Sequence, residues 1–136
     1  MKYKYLEDLT SDVMFKAYGN DLKELFENSA EALLKVICQL NKIKPVEVIE
    51  VEVEGEDVQE LMFNWLQELI VLVDTEEMFF SKFEIIKISE NKLKAKIYGE
   101  PITPEKGETV VKSITNYGFK VEKKGNQWTA KISMDT

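Results

Sequence analysis

The sequence predicts an α+β domain in which two helices pack against one or two mostly antiparallel sheets. Three observations point to it. Residues 56–75 carry Val58, Leu61, Met62, Trp65, Leu66, Leu69, Ile70 and Val73 at helical spacing, a broad apolar stripe that has to be covered by other elements. A second amphipathic stretch covers residues 21–38. From residue 79 onward the pattern changes to alternating runs separated by turn residues, so helices come early and meander strands late. With 136 residues, 44% hydrophobic and 32% charged, the chain fits a single domain spanning 1–136. A chain of this size buries about two-thirds of the surface its unfolded form exposes.

Taken in order, residues 3–6 read as a short strand and residues 9–13 as a polar turn. A second strand over 13–18 turns Val13, Phe15 and Ala17 to one face. Gly19 and Asn20 end it, with Asn20 placed to cap the first helix, whose stripe is Leu22, Leu25, Phe26, Ala30, Leu33, Leu34 and Ile37. Cys38 continues that stripe and reads as a small buried apolar residue, since no basic neighbour is at hand to activate its thiol. Beyond Pro45, residues 46–53 form a strand whose alternation slips between Val48 and Ile49, as at a bulge. Asp57 caps the central helix, and Glu60 three positions on completes an acidic capping box.

The second half is almost purely β. Residues 79–89 and 92–98 pair about a turn at Glu90 and Asn91, with Leu93, Ala95 and Ile97 on one face and Lys92, Lys94 and Lys96 on the other. Pro101, Pro104 and Gly107 punctuate a loop. Residues 109–123 then form a long strand, 124–126 a hairpin turn, and 127–135 the last strand, with Trp128, Ala130, Ile132 and Met134 facing the core. No internal repeat, low-complexity tract or inter-domain linker interrupts this order.

Composition excludes more than it proves. The net charge is −7, all 18 basic residues are lysine, and histidine is absent. Arginine is the usual choice for bidentate phosphate contacts, so little direct nucleic-acid binding is expected and a basic protein surface or a cation suits the chain better. Without histidine, Cys–His, Ser–His–Asp and histidine-ligated zinc sites are all ruled out. No run approaches the ~18 apolar residues of a membrane span, and the first residues lack a signal-peptide core. The single cysteine excludes an internal disulfide and, with these features, fits a cytoplasmic location.

Two charged patterns have both a functional and a plainer reading. Glu47, Glu50, Glu52, Glu54, Glu56 and Asp57 could hold a cation, but acids alternating with core valines are the ordinary pattern of a solvated strand face. Lys92, Lys94 and Lys96 could touch RNA phosphate, but such a row more commonly keeps a sheet face soluble and unpaired.

Particular motifs carry the reading further. Residues 10–13 (Thr-Ser-Asp-Val) precede Lys-Ala-Tyr-Gly at 16–19 and a helix bearing Leu-Phe-Glu-Asn-Ser-Ala-Glu-Ala-Leu at 25–33. Val-Glu-Gly-Glu-Asp at 53–57, Asn-Trp-Leu-Gln-Glu-Leu at 64–69, Val-Lys-Ser-Ile-Thr at 111–115 and a final Met-Asp-Thr follow. Together these resemble the archease family across essentially the whole chain. The resemblance implies an archease-like α+β domain that is not an enzyme but activates the RtcB-type RNA ligase joining tRNA halves, promoting its guanylylation and multiple turnover. It also implies a divalent cation, Ca²⁺ foremost with Mg²⁺ or Mn²⁺ as alternatives, held at Asp12 of the Thr-x-Asp motif and at the last two residues, Asp135 and Thr136. Two aspartates and a terminal carboxylate are hard oxygen donors of the kind these ions take.

Two stretches depart from the family pattern. Leu9 stands where a histidine usually precedes the motif threonine, and Thr115, Asn116 and Tyr117 stand where Thr-Tyr-His is usual. A second reading is a chaperone-like binding module for another tRNA-modifying enzyme, such as a tRNA methyltransferase. A third, an enzyme using Asp12 and Asp135 as an acid/base pair, has no nucleophile, phosphate-binding glycine loop or cofactor motif beside it.

Overall fold

The chain folds as two antiparallel sheets with two helices that touch both, in a computed structural model that describes residues 1–7 and 12–136. Strands β1 (Tyr3–Leu6), β2 (Val13–Gly19), β6 (Ser113–Lys124) and β7 (Gln127–Asp135) make the first sheet in the order β1-β2-β7-β6. Strands β3 (Glu47–Glu54), β4 (Met78–Ile88) and β5 (Lys92–Pro101) make the second in the order β3-β5-β4. Helix α1 (Leu22–Ile37) lies against β2 and β4, and α2 (Val58–Thr75) against β6, β3 and β4.

Each helix forms for reasons written locally. Asp57 caps α2 by accepting from the Glu60 backbone N–H at 2.9 Å, while Glu60 Oε1 accepts from the Glu56 N–H at 3.2 Å. In α1 the cap is Asp21, not Asn20: its carboxylate accepts from the Glu24 N–H at 2.8 Å, and Glu24 reaches back to the Asn20 N–H at 3.3 Å. Both residue types cap well, and the position three before the returning glutamate decides between them.

The core lies where the two apolar stripes meet. Trp65 is fully buried in α2 and donates its indole N–H to the Phe26 carbonyl of α1 at 3.0 Å. That bond satisfies the one polar atom of the largest core side chain. Elsewhere the helices use side chains to satisfy sheet edges. Gln59 of α2 accepts from the Val121 N–H at 2.8 Å and donates to the Val121 carbonyl, and Gln67 accepts from the Ile114 N–H at 3.0 Å. These three bonds close the outer edge of β6. Glu27 of α1 does the same for the Ile85 N–H of β4 at 2.8 Å, beside the bulge between Ile85 and Lys87.

Several strand expectations need correction. β3 pairs with β5 without interruption from Glu47 to Glu54, so there is no bulge at Val48. Val48 is simply on the outer face opposite Tyr98 and is half exposed. β5 continues to Pro101, where Gly99 allows Phe79 to approach: a Cβ on Gly99 would lie 1.9 Å from the Phe79 carbonyl oxygen. β6 begins at Ser113 rather than Thr109, because the Glu108 and Thr109 N–H groups are taken by the Ile37 and Val36 carbonyls at the end of α1. It is also interrupted, since pairing with β7 jumps from Thr115 to Lys120 and leaves 116–119 as an arch with Gly118 at φ +62°. The turn expected at 9–13 lies mostly outside the described residues.

If Trp65 is the central packing element, Trp65→Ala lowers stability by about 3–5 kcal/mol in denaturant melts. A loss below about 1 kcal/mol would contradict that role.

Candidate functional site

β2 and β7 run antiparallel with Val13 opposite Met134, Phe15 opposite Ile132 and Ala17 opposite Ala130. These odd-numbered residues of β2 and even-numbered residues of β7 are core. Continuing the register one step past its last pair sets Asp12 opposite Asp135 on the outer face. Two carboxylates 123 positions apart in sequence thus meet at one ladder end.

Hydroxyl groups from β6 and β7 surround this corner. Ser133 is fully buried and donates to Asp12 Oδ2 at 3.5 Å. Thr115, opposite Ser133, donates to the Ser133 carbonyl at 3.4 Å. Ser113 stands opposite Asp135, whose carbonyl accepts from the Lys112 N–H at 2.8 Å. This last bond fixes the backbone just before Thr136, which is exposed. Asp12 is half-buried, and Asp135 is exposed.

Every donor at this corner is a hard oxygen, which suits Ca²⁺, Mg²⁺ or Mn²⁺ and not a thiophilic metal. Among the described residues, no three Asp, Glu, His or Cys side chains gather into a metal-holding group. A cation here would draw on the two aspartates together with hydroxyl and backbone oxygens. Thr10 and Ser11 of the Thr-Ser-Asp-Val motif and Leu9 lie outside the described residues.

The structure separates the other charged candidates. Glu50, Glu52 and Glu54 of β3 face Lys96, Lys94 and Lys92 of β5, and Lys92 lies 3.6 Å from Glu54. The acidic strand and the lysine row seen in the sequence therefore neutralise each other across one ladder. Glu100 is the acid most deeply engaged: Lys106 at 2.6 Å and the Lys44 N–H at 2.6 Å hold its carboxyl below the usual range. A groove of about 910 Å³ between β1 and α1 is lined by Tyr3, Tyr5 and Val13, on the core side of the first sheet and away from Asp12. Tyr5 donates from there to the Ala32 carbonyl at 2.8 Å, and burial raises its phenol pKa.

Comparison with known proteins decides the family. The model of the Archease protein family matches residues 3–136. The chain belongs to the archease family. It is 46% identical over 132 residues to "Protein archease" of Pyrococcus abyssi, covering 93% of both chains. The archease of Sulfurisphaera tokodaii is 38% identical over 138 residues, covering 98% of both. Among solved structures, the solution structure of Methanobacterium thermoautotrophicum protein 1598 superposes with a TM-score of 0.87 at 31% identity, over 99% of each chain. The crystal structure of a Thermotoga maritima archease, titled a possible chaperone, superposes with a TM-score of 0.68 at 22% identity, over 98% of this chain and 97% of that one. The archease fold, two helices on antiparallel sheets, is thereby established for this chain. Its curated relatives carry the name of a protein, not of an enzymatic activity. No helix among the described residues is long and apolar enough to cross a membrane.

Ser133 was not singled out by the sequence, and Ser113 and Thr115 stood there only as part of the 111–115 motif, with no site role. The signal that finds them is strand register, which a single sequence does not print. Asn116 and Tyr117 sit on the β6 arch directly after Thr115.

Cys38 is removed from any site chemistry. It is 1% exposed, its thiol donates to the Leu34 carbonyl at 3.2 Å, and burial with Glu108 nearby pushes its pKa up to about 12. The raised value means the neutral thiol favours the folded state below the ordinary value of 9.0, an advantage lost as pH climbs toward about 12. Native protein mixed with a thiol reagent at pH 8 therefore reacts only at its unfolding rate. Stoichiometric labelling within the mixing time would overturn the buried assignment.

Proposed function

We propose that this archease is a non-catalytic activator of a tRNA-splicing RNA ligase and carries a divalent cation, Ca²⁺ foremost, at Asp12, Asp135 and Thr136. One observation carries the cation: the β2–β7 register that brings Asp12 and Asp135 to opposite positions, with Ser133 bonded to Asp12. Carboxylates placed opposite one another repel when nothing lies between them. Asp12 and Asp135 would supply the charge, the Ser133 hydroxyl would orient Asp12, and Thr136 would add backbone oxygen. When bound, the cation would supply positive charge at the edge of an acidic protein, where a partner's phosphate or carboxylate can meet it. The ligase assignment rests on membership of the family, whose resemblance implies activation of an RtcB-type ligase by guanylylation and turnover. A chaperone-like role toward another tRNA-modifying enzyme is the second reading, and the Thermotoga relative titled a possible chaperone accords with it.

Ca²⁺ is expected to raise the melting temperature. Free ion at about 100 times the dissociation constant adds about 2.7 kcal/mol. Asp12→Ala or Asp135→Ala removes this response and abolishes stimulation of the cognate ligase. Asp135→Ala leaves the metal-free protein as stable or slightly more stable, whereas Asp12→Ala also loses the bond from buried Ser133. A wild-type melting curve indifferent to Ca²⁺, with full stimulation by both variants, would end the proposal. Stimulation of a methyltransferase but not of the ligase would favour the second reading.

A further inference from the structure

The outer face of the first sheet holds a second feature, two ladder rows from the aspartates. Lys4 of β1 is paired directly with Lys16 of β2, Lys16 with Lys131 of β7, and Lys131 with Lys120 of β6. Four lysines thus stand in one row perpendicular to the strands. At the usual strand spacing the row spans about 14–15 Å. Like charges directly opposite one another destabilise a ladder, so such a row is not what a sheet chooses for its own sake.

The second sheet compensates its lysines: each lysine of β5 faces a glutamate of β3, including Lys94, which has Lys87 on its β4 side. On the first sheet Lys120 has Glu122 at 3.1 Å, but among the described residues no carboxylate lies within ion-pair distance of Lys4, Lys16 or Lys131. Lys16 is instead held 5.8 Å above the Tyr18 ring. All this occurs on a chain of net charge −7, where compensating acid is abundant.

We propose that Lys4, Lys16 and Lys131 form a phosphate-contacting row for single-stranded RNA. Lysine contacts phosphate as a point charge and needs no fork geometry, so the absence of arginine is no obstacle to this limited role. Within the row itself the surface offers a protein partner no aliphatic anchor. Met14, the large apolar residue beside the row, is 1% exposed beneath the 116–119 arch, where a Cβ on Gly118 would lie 3.5 Å from it. Tyr18 next to the row and the exposed Tyr117 on the arch offer bases rings to stack on. The Asp12–Asp135 corner lies four residues along the strands from Lys16 and Lys131, about 13–14 Å to one side of the row. The choice of RNA over other polyanions rests on the reading of the chain as an activator of RNA ligation. The positive row itself does not.

Anisotropy of a labelled oligouridine, read against salt, tests the row. Three phosphate contacts give a slope of about −2 in log K against log salt, about a 20-fold loss of affinity between about 50 and about 200 mM. Binding is therefore weak at physiological salt. Lys16→Gln with Lys131→Gln is expected to reduce low-salt affinity at least tenfold and flatten the slope by about 1.4. Lys94→Gln with Lys96→Gln, the same charge change on the second sheet, is expected to leave both unchanged. The row variant should also melt no lower than wild type and keep its Ca²⁺ response, which separates failure of the row from failure of the cation site. No oligouridine binding at low salt, equal losses in both double variants, or preference for oligodeoxythymidine or polyglutamate over oligouridine would each overturn the proposal.

Discussion

Antiparallel pairing of β2 with β7 joins residues 13–19 to residues 128–134 and is the interaction on which the functional face depends. Closing so long a loop is entropically costly and is repaid only when both sheets and both helices are in place. The register matters as much as the pairing. A slip of one residue would exchange Phe15, Ala17, Ala130 and Ile132 for lysines and hydroxyls on the core side. Core burial therefore enforces the alignment that brings Asp12 to Asp135 and Lys16 to Lys131. Residues that make no core contact inherit their geometry from residues that do.

The two helices hold that alignment from the other side. Trp65 locks α2 to α1 through the Phe26 carbonyl, and Gln59 and Gln67 fix β6, the far neighbour of β7, by standing in for a missing strand. β6 in turn brings Ser113, Thr115 and the 116–119 arch against β7. Charge is distributed unequally between the sheets. The second sheet cancels Glu50, Glu52 and Glu54 against Lys96, Lys94 and Lys92, while the first keeps acids at one end and lysines in its middle. A protein of net charge −7 thus offers one face that carries both signs.

Local chemistry was legible in the sequence and long-range pairing was not. The α2 stripe and its Asp57 cap depend on neighbours within four residues, and the structure has both where the spacing puts them. Asn20 against Asp21 and the apparent slip at Val48 were ambiguous locally, because two capping residues were adjacent and an exposed valine resembles an inward one. The onset of β6 escaped notice because the carbonyls that claim the Glu108 and Thr109 N–H groups belong to α1, some seventy residues earlier. Asp12 and Asp135 could be named through family motifs. Ser133 and the lysine row could not, since each becomes visible only when strands distant in sequence are aligned.

The proposed cation belongs at the β2–β7 ladder end, not on the acidic β3 strand. Amide chemical shifts followed during a Ca²⁺ titration test this placement most directly, because both regions report in one experiment. Saturable shifts concentrated at residues 12–14, 113–115 and 133–136, with Glu47–Glu54 unmoved, are the expected result. Shifts centred on β3, or a uniform drift without saturation, would contradict it.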